Sequence, residues 1–501
     1  MEAGTPVTAE VKSPGQGGMV LKNTLILMLA QVAGTPLAIF SAAMMGRFLG
    51  PQALGYNYLC TTLAQFGFLF VDWGSTGVVP AAIAQRHAAA GRLIGTSLLW
   101  KALAGPAVTL ILTLGSLLLG KDQEFLNVYW LVSLHILIGF WTATLSDALR
   151  GFERMDVMAY AQVGGQFLSA VLVVSTLFLG GNLYAALVAQ AVTNAIVLVW
   201  IWRSTRRLFE GPVGFSFEEV RSLLKYGTPF LIVALTNTMQ TNIDAAFMSE
   251  LAPTDVVGWH AAARRLIGVL VMPAVALIAS LYPTLSRLFV EDRAEYADTV
   301  AKATKGTALL AMPVALCCGV YREVGVNLYG KQGFGRTEQN LLIMSGLVFL
   351  VYFSMPLGSA VLAAGKQRSW ALVQGICVLV SLILDPLLIP WFQEHYQNGG
   401  IGISVAGIIS EIPVVLGGVL LLPKGTLGLP VAKTLCRVFI AGAVFIGVAY
   451  LLRHISPYLA SPVALASYVG TLWFIGSEER EQIRFARDKS LGKLLARFQK
   501  K

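Results

Sequence analysis

Residues 339-364 read QNLLIMSGLVFLVYFSMPLGSAVLAA, an unbroken run without an Asp, Glu, Lys or Arg. A helix rises 1.5 Å per residue, and about 20 apolar residues suffice to cross a hydrocarbon layer. A barrel strand would need only ~10 residues of alternating character, so a continuous run of this length favours a helix. Working outward, comparable runs occupy 21-46, 54-84, 93-119, 125-149, 157-180, 182-202, 225-250, 256-286, 301-320, 369-391, 401-422, 432-452 and 457-476. The chain therefore reads as an all-α integral membrane protein of about fourteen transmembrane helices.

Composition supports this reading. Of 501 residues 56% are hydrophobic and 13% charged, with mean hydropathy +0.68. Soluble domains carry about a quarter of their residues as charges, needed to cover their surface. No segment between the runs is large enough for a soluble domain. Residues 1-20 are polar and rich in Gly and Pro, and are expected to form a disordered cytoplasmic tail.

Loop charges orient the chain. With the N-terminus in the cytoplasm, 28 of the 37 Lys and Arg fall in cytoplasmic segments and six fall outside. This is the excess that short cytoplasmic loops show. An even number of spans places both termini in the cytoplasm of a plasma (inner) membrane. The segment 321-338, with Arg322, Lys331 and Arg336, is the exception. The basic tail 477-501 alternates Phe485, Leu491, Leu495 and Phe498 with bases, so it is expected to lie on anionic lipid. The net charge of +10 then points to a membrane surface rather than to nucleic acid. Five cysteines, all in apolar runs, show no metal or disulfide spacing, and the five histidines suggest no catalytic role.

A weak internal repeat has an offset near 203 residues. Leu21-Lys22 corresponds to Leu224-Lys225, Pro51 and Gly55 to Pro253 and Gly258, Pro80 to Pro283, and Arg86 to Arg287. Six spans separate equivalent positions, so the copies share one orientation and are expected to flank a central substrate path. The expected organisation is an N-lobe at 21-203, a cytoplasmic linker at 204-224, a C-lobe at 225-422, and two further helices within 423-476.

The stretches RFLGPQALGY at 47-56, DWG at 72-74, AQR at 84-86, Asp244, GWHAAARRL at 258-266, YPTLSR at 282-287, AAGK at 363-366, DPLLIP at 385-390, and Glu411 form a pattern along nearly the whole chain. Together they resemble the Wzx-type polysaccharide and O-antigen flippases of the multidrug, oligosaccharidyl-lipid and polysaccharide exporter superfamily. Two departures stand out: Asp385 replaces the family's usual Asn, and 392-399 reads as an insertion. The resemblance implies that polyprenyl-(pyro)phosphate-linked oligosaccharide is turned over by alternating access, without ATP hydrolysis and without a cofactor. Membrane lipids and a polysaccharide polymerase are the partners it implies.

Charges inside spans cost at least ~2.5 kcal/mol each and ask for a partner or a wet cavity. Lys101 lies roughly 12 Å into span three; Asp244, Arg264 and Arg265 lie roughly 9 to 13 Å from the opposite side in spans seven and eight. These four are the candidate substrate-binding groups, because forked guanidinium contacts suit a pyrophosphate. Arg265 is favoured as the clamp: it shares a helix face with Gly258, Ala261, Ala262 and Gly268, whose small side chains are expected to leave room for a cavity. Arg264 shares the bulkier face of His260, Ile267 and Val271. Self-neutralising ion pairs remain the alternative for all of them. Glu411 is a candidate coupling site for H+ or Na+, and Asp72, Arg86, Asp147 and Arg150, near cytoplasmic helix ends, are candidate gate pairs.

Two GxxxxGK matches, at 115-121 and 325-331, lack the Ser or Thr that a magnesium-nucleotide loop needs. A drug or cation antiporter of the same architecture would place acids in its first lobe, yet the first span offers only Gln31, Thr35 and Ser41. A peptidoglycan-precursor flippase differs only in substrate. A membrane glycosyltransferase needs carboxylates in an external loop, and 47-53 has none. The chain is not expected to be an enzyme.

Overall fold

The computed structural model describes residues 16-85, 90-209, 211-330, 333-423 and 425-476. The 1-15 portion of the N-terminal tail, Arg86, Lys331 and the basic tail from 477 onward lie outside the described residues. Fifteen helices and no strand occur among the described residues: α1 (Gln16–Asp72), α2 (Ser75–Gln85), α3 (Ala90–Leu118), α4 (Gln123–Gly151), α5 (Met155–Phe178), α6 (Leu183–Arg206), α7 (Phe217–Leu251), α8 (Thr254–Glu291), α9 (Arg293–Val320), α10 (Arg322–Tyr329), α11 (Thr337–Ala363), α12 (Gln367–Tyr396), α13 (Gly399–Leu421), α14 (Leu429–Leu451) and α15 (Pro457–Ile475). Among the described residues, twelve helical stretches are long and apolar enough to cross a membrane, with Ala30–Gln85 counted as one. Large apolar side chains such as Ile111, Leu118, Phe178 and Phe474 stand exposed on them, as lipid-facing groups must.

Short hairpins join the spans through matched caps. At the end of α3, Gly120 adopts φ 71 and the Lys121 N–H reaches the Ser116 carbonyl; two residues after that glycine, Asp122 accepts from the Phe125 N–H and starts α4. Gly180 and Asn182 repeat the device between α5 and α6, with Gly181 N–H on the Thr176 carbonyl and Asn182 accepting from Ala185 N–H. A left-handed glycine closes one helix and a short polar side chain opens the next.

The expected second span, 54-84, is corrected in one respect. α1 is kinked at Gly50 (φ 83, ψ 177) and ends at Asp72, and the successive left-handed residues Trp73 (φ 44) and Gly74 (φ 71) separate it from α2. The break is held from α7: Trp73 Nε1 donates to the Leu224 carbonyl at 3.2 Å, and a Cβ on Gly74 would collide with the Gly227 carbonyl. α2 is 11 residues, roughly 16 Å, so Asp72 lies well inside the span rather than near its end.

The chain forms two compact units, and their boundary runs through α1 and α7. Unit 1 holds residues up to Ala42 and Cys60–Thr236; unit 2 holds Ala43–Leu59 and the chain from Asn237. A core of Val79, Ile83, Ile94, Leu145, Leu149, Ile201 and Phe209 organises unit 1. In unit 2, Tyr329 and Phe334 are buried with Leu54, Ala262 and Met344.

Residues 321-330 and 333-338 are folded rather than a plain loop, which accounts for Arg322 and Arg336. They contain α10; Arg336 donates to the carbonyls of Tyr396 and Gln397 at 2.9 and 2.7 Å, satisfying the end of α12. Arg322 donates to the Gly319 carbonyl at 2.9 Å and faces Glu338 at 3.7 Å. The stretch 392-399, read as an insertion, is mostly the last turn of α12, which ends at left-handed Gln397 (φ 52).

Candidate functional site

Two groups of charged residues emerge, one in each unit. In unit 1, Lys101 is fully buried and its ammonium is saturated: Nζ donates to Asp72 Oδ1 at 2.7 Å, Thr144 Oγ1 at 2.6 Å and the Phe140 carbonyl at 3.4 Å. Asp72 is equally occupied, accepting from Ser75 Oγ at 2.7 Å and Thr76 Oγ1 at 3.1 Å, which ties the end of α1 to the start of α2. The sequence singled out both residues for different roles, and the structure makes them one pair. Asp147 accepts from Arg150 at 3.1 Å through Oδ1, while its Oδ2 is buried without a hydrogen-bond partner.

In unit 2, α7 and α8 bring Asp244 and Arg264 together at 2.7 Å. Arg265, on the next residue and so about 100° around the helix, has no hydrogen-bond or ion-pair partner among the described residues. The carboxylate is thus taken by Arg264, and the second guanidinium is left over. Tyr58 and Tyr329 lie within its electrostatic reach.

Those neighbours share one property. The hydroxyls of Tyr58 and Tyr329 and both ring nitrogens of His260 are buried without hydrogen-bond partners. His260 meets Tyr58 edge-on at 6.3 Å between ring centroids and lies within electrostatic reach of Arg264 and Asp244. Buried polar atoms normally find partners, so orphaned hydroxyls within reach of Arg265, continued through Tyr58 to the orphaned His260 ring, mark a place where water or ligand completes the bonding. Tyr58 and His260 were missed in the sequence; a histidine inside an apolar run was the available signal.

The expected cavity beside Arg265 needs correction. A Cβ on Gly258 would strike the Pro51 carbonyl, and Ala261 and Ala262 are completely buried, so these small residues admit a close neighbour instead of leaving space. On that face only Gly268 has nothing within 4 Å.

Elsewhere in unit 2, Ser354 Oγ donates to Glu411, and Ser381 and Ser410 hydroxyls bond at 2.9 Å. Asp385, 2% exposed, keeps Oδ2 unpartnered. Sequence reading noted Asp385 only as a departure from a motif, yet a buried carboxylate in a span marks a polar site.

Comparison with known proteins places this geometry. The chain is 20% identical over 358 residues to "Probable flippase AglR" of Haloferax volcanii, covering 69% of this chain and 72% of the relative. It is 22% identical over 391 residues to "Putative O-antigen transporter" of Escherichia coli K12, covering 74% and 91%. The lipid II flippase MurJ in an inward closed conformation matches with TM-score 0.70 at 14% identity, over 92% of this chain and 100% of that one. A multidrug resistance MATE transporter matches with TM-score 0.60 at 16% identity, over 80% and 95%. The fold is of the MurJ and MATE type. The model of the polysaccharide biosynthesis protein family matches residues 20–289, and the chain belongs to that family.

Proposed function

We propose that this protein is a flippase, not an enzyme, which moves a polyprenyl-(pyro)phosphate-linked oligosaccharide across the inner membrane by alternating access for surface polysaccharide assembly. The carrying observation is Arg265: a guanidinium with no hydrogen-bond or ion-pair partner among the described residues, with the orphaned hydroxyls of Tyr58 and Tyr329 in its electrostatic reach and the orphaned ring of His260 next to Tyr58 and Arg264. With Asp244 neutralised by Arg264, this group is net positive, and each of the three orphaned side chains can donate a hydrogen bond. That is the chemistry of an oxyanion-rich headgroup site. A drug or cation antiporter would want the opposite sign. A peptidoglycan-precursor flippase would share this site, and the relatives named for flipping and O-antigen transport favour the polysaccharide reading.

In this reading the kinked first span counts as two crossings and α7 as one more, giving fourteen with both termini in the cytoplasm. Two six-helix lobes surround a central cavity, and α14 and α15 stand outside the repeat. Glu411 and Asp385 are the carboxylates through which H+ or Na+ would couple, Asp72, Arg86, Asp147 and Arg150 act at the gates, and a polysaccharide polymerase takes the product. Deleting the gene tests the reading. Lipid-linked oligosaccharide should accumulate on the cytoplasmic leaflet, and normal surface glycan with no trapped intermediate, in a strain without a redundant flippase, contradicts it.

A further inference from the structure

Unit 1 carries a second feature that the transport site does not use. A cleft of about 520 Å³ opens between α3, α4 and α6, lined by Leu98, Leu99, Trp141, Leu198, Val199 and Trp202 among others. One end is closed by the segment that follows α6. This strap lies directly across α3: a Cβ on Gly91 would meet the Pro212 carbonyl at 2.7 Å, one on Gly95 would strike the Gly214 carbonyl, and Ser216 N–H donates to Thr96 Oγ1 at 3.1 Å. Val213, on the strap, completes the wall.

At that end stand two exposed arginines with no hydrogen-bond or ion-pair partner among the described residues, Arg92 and Arg203. Helical spacing puts Arg92 on the face of α3 that carries Gly95 and Leu99, and Arg203 on the face of α6 that carries Val199. Gly95, Leu99 and Val199 all line the cleft. The surface therefore joins an apolar slot to two free cations at its strap end, which is the shape and sign of one lipid molecule: hydrocarbon chain inside, anionic headgroup at the mouth.

We propose that this cleft is a binding site for one acyl chain of an anionic membrane phospholipid, whose phosphate is held by Arg92 and Arg203. A chain gains little by leaving one apolar medium for another, so selectivity must come from the headgroup. Two arginines near a membrane surface give a preference on the order of tenfold for an anionic over a zwitterionic lipid. Neither arginine belongs to the Arg265 site, so the assignment stands apart from the transport reading.

The test uses the full chain in nanodiscs of phosphatidylcholine containing either phosphatidylglycerol or phosphatidylcholine with a diazirine on one acyl chain, and maps the cross-linked residues. Phosphatidylglycerol should label Leu98, Leu99 and Val199 about tenfold more than phosphatidylcholine does. Arg92→Ala with Arg203→Ala should erase the preference while leaving the fold intact, since both side chains are exposed and unpaired. Ala102→Trp, which fills the cleft, should abolish labelling there and leave labelling at lipid-facing Leu110 and Ile111 unchanged. Equal labelling by the two lipids, or a preference that survives the double arginine change, overturns the site. Displacement of the label by a polyprenyl phosphate at equimolar amounts overturns the phospholipid as its occupant.

Discussion

Gly55 and Gly258 pack reciprocally: a Cβ on Gly55 would strike the Thr254 carbonyl, and one on Gly258 would strike the Pro51 carbonyl. Both glycines, and the two residues whose carbonyls they face, are separated by the same 203 positions as the internal repeat. A contact in which each partner offers the same atoms to the other is the signature of a two-fold relation. The contact joins the second segment of α1 to the start of α8 within unit 2.

Because the contact is backbone against backbone, neither side can yield. Gly55→Ala and Gly258→Ala should each destabilise the protein by about 1 to 3 kcal/mol, the usual cost of overpacking. Gly268→Ala and Gly115→Ala, which meet nothing within 4 Å, should be neutral or slightly stabilising, because Ala outranks Gly in helices. Thermal unfolding in detergent separates the two classes; equal shifts would refute the reciprocal contact.

The buried pair Lys101–Asp72 makes the next test. Removing one charge strands the other in the span, at about 3 to 5 kcal/mol, so Lys101→Met or Asp72→Asn alone should lower abundance. The double change removes both charges and should restore abundance. Transport in that double variant then decides the role of Lys101: activity near normal makes the pair structural, and loss with normal abundance makes Lys101 part of the substrate path.

How far the sequence foretold this site depends on depth and on partners. Apolar runs mark helices directly, since membrane burial demands them. Asp72 was read as lying near a helix end and is the last residue of α1, but that end lies inside the span, because nothing local announces the break at Trp73-Gly74; a tryptophan with positive φ goes with α7 packing across it. Which partner Lys101 takes depends on how α1, α3 and α4 pack, so its pairing with Asp72 stays hidden in the sequence. The short helix α10 was likewise missed, because eight residues are too few to establish a period. Arg265 was legible as a charge in a span, whereas its lack of a partner was not, because that depends on Asp244 choosing Arg264.

Tyr58 gives a sharper probe of the headgroup site than any charge. Its hydroxyl has no hydrogen-bond partner among the described residues, so Tyr58→Phe removes no hydrogen bond seen in the fold, and stability should stay level or rise. If that hydroxyl serves a ligand, flipping should fall several-fold in the same variant. Unfolding temperature and a vesicle-based flipping assay on one preparation check both halves, and unchanged flipping removes Tyr58 from the site.

Topology can be read with single cysteines in a cysteine-free background. Labels at Gln123 and Glu394, both exposed, should react with an impermeant reagent added to whole cells, and labels at Arg207 and Ser490 should react only after permeabilisation. The reverse pattern would invert the orientation that the loop charges set.

The adjacent arginines supply the decisive cycle. Arg264 holds Asp244 at 2.7 Å, so Arg264→Ala strands a carboxylate and should lower protein abundance, and adding Asp244→Asn should recover it. Arg265 holds no hydrogen-bond or ion-pair partner among the described residues, so Arg265→Ala should leave abundance near normal while abolishing flipping. Arg265→Lys should restore only part of the activity, because an ammonium keeps the charge but loses the forked donors. The paired changes Asp244→Asn with Arg264→Gln and Asp244→Asn with Arg265→Gln then separate the roles. The first preserves the free guanidinium and should retain flipping; the second leaves Arg264 unpaired in its place and should not. Recovery of transport in the second pair would show that Arg265 merely balances Asp244, and the headgroup clamp would have to be sought elsewhere.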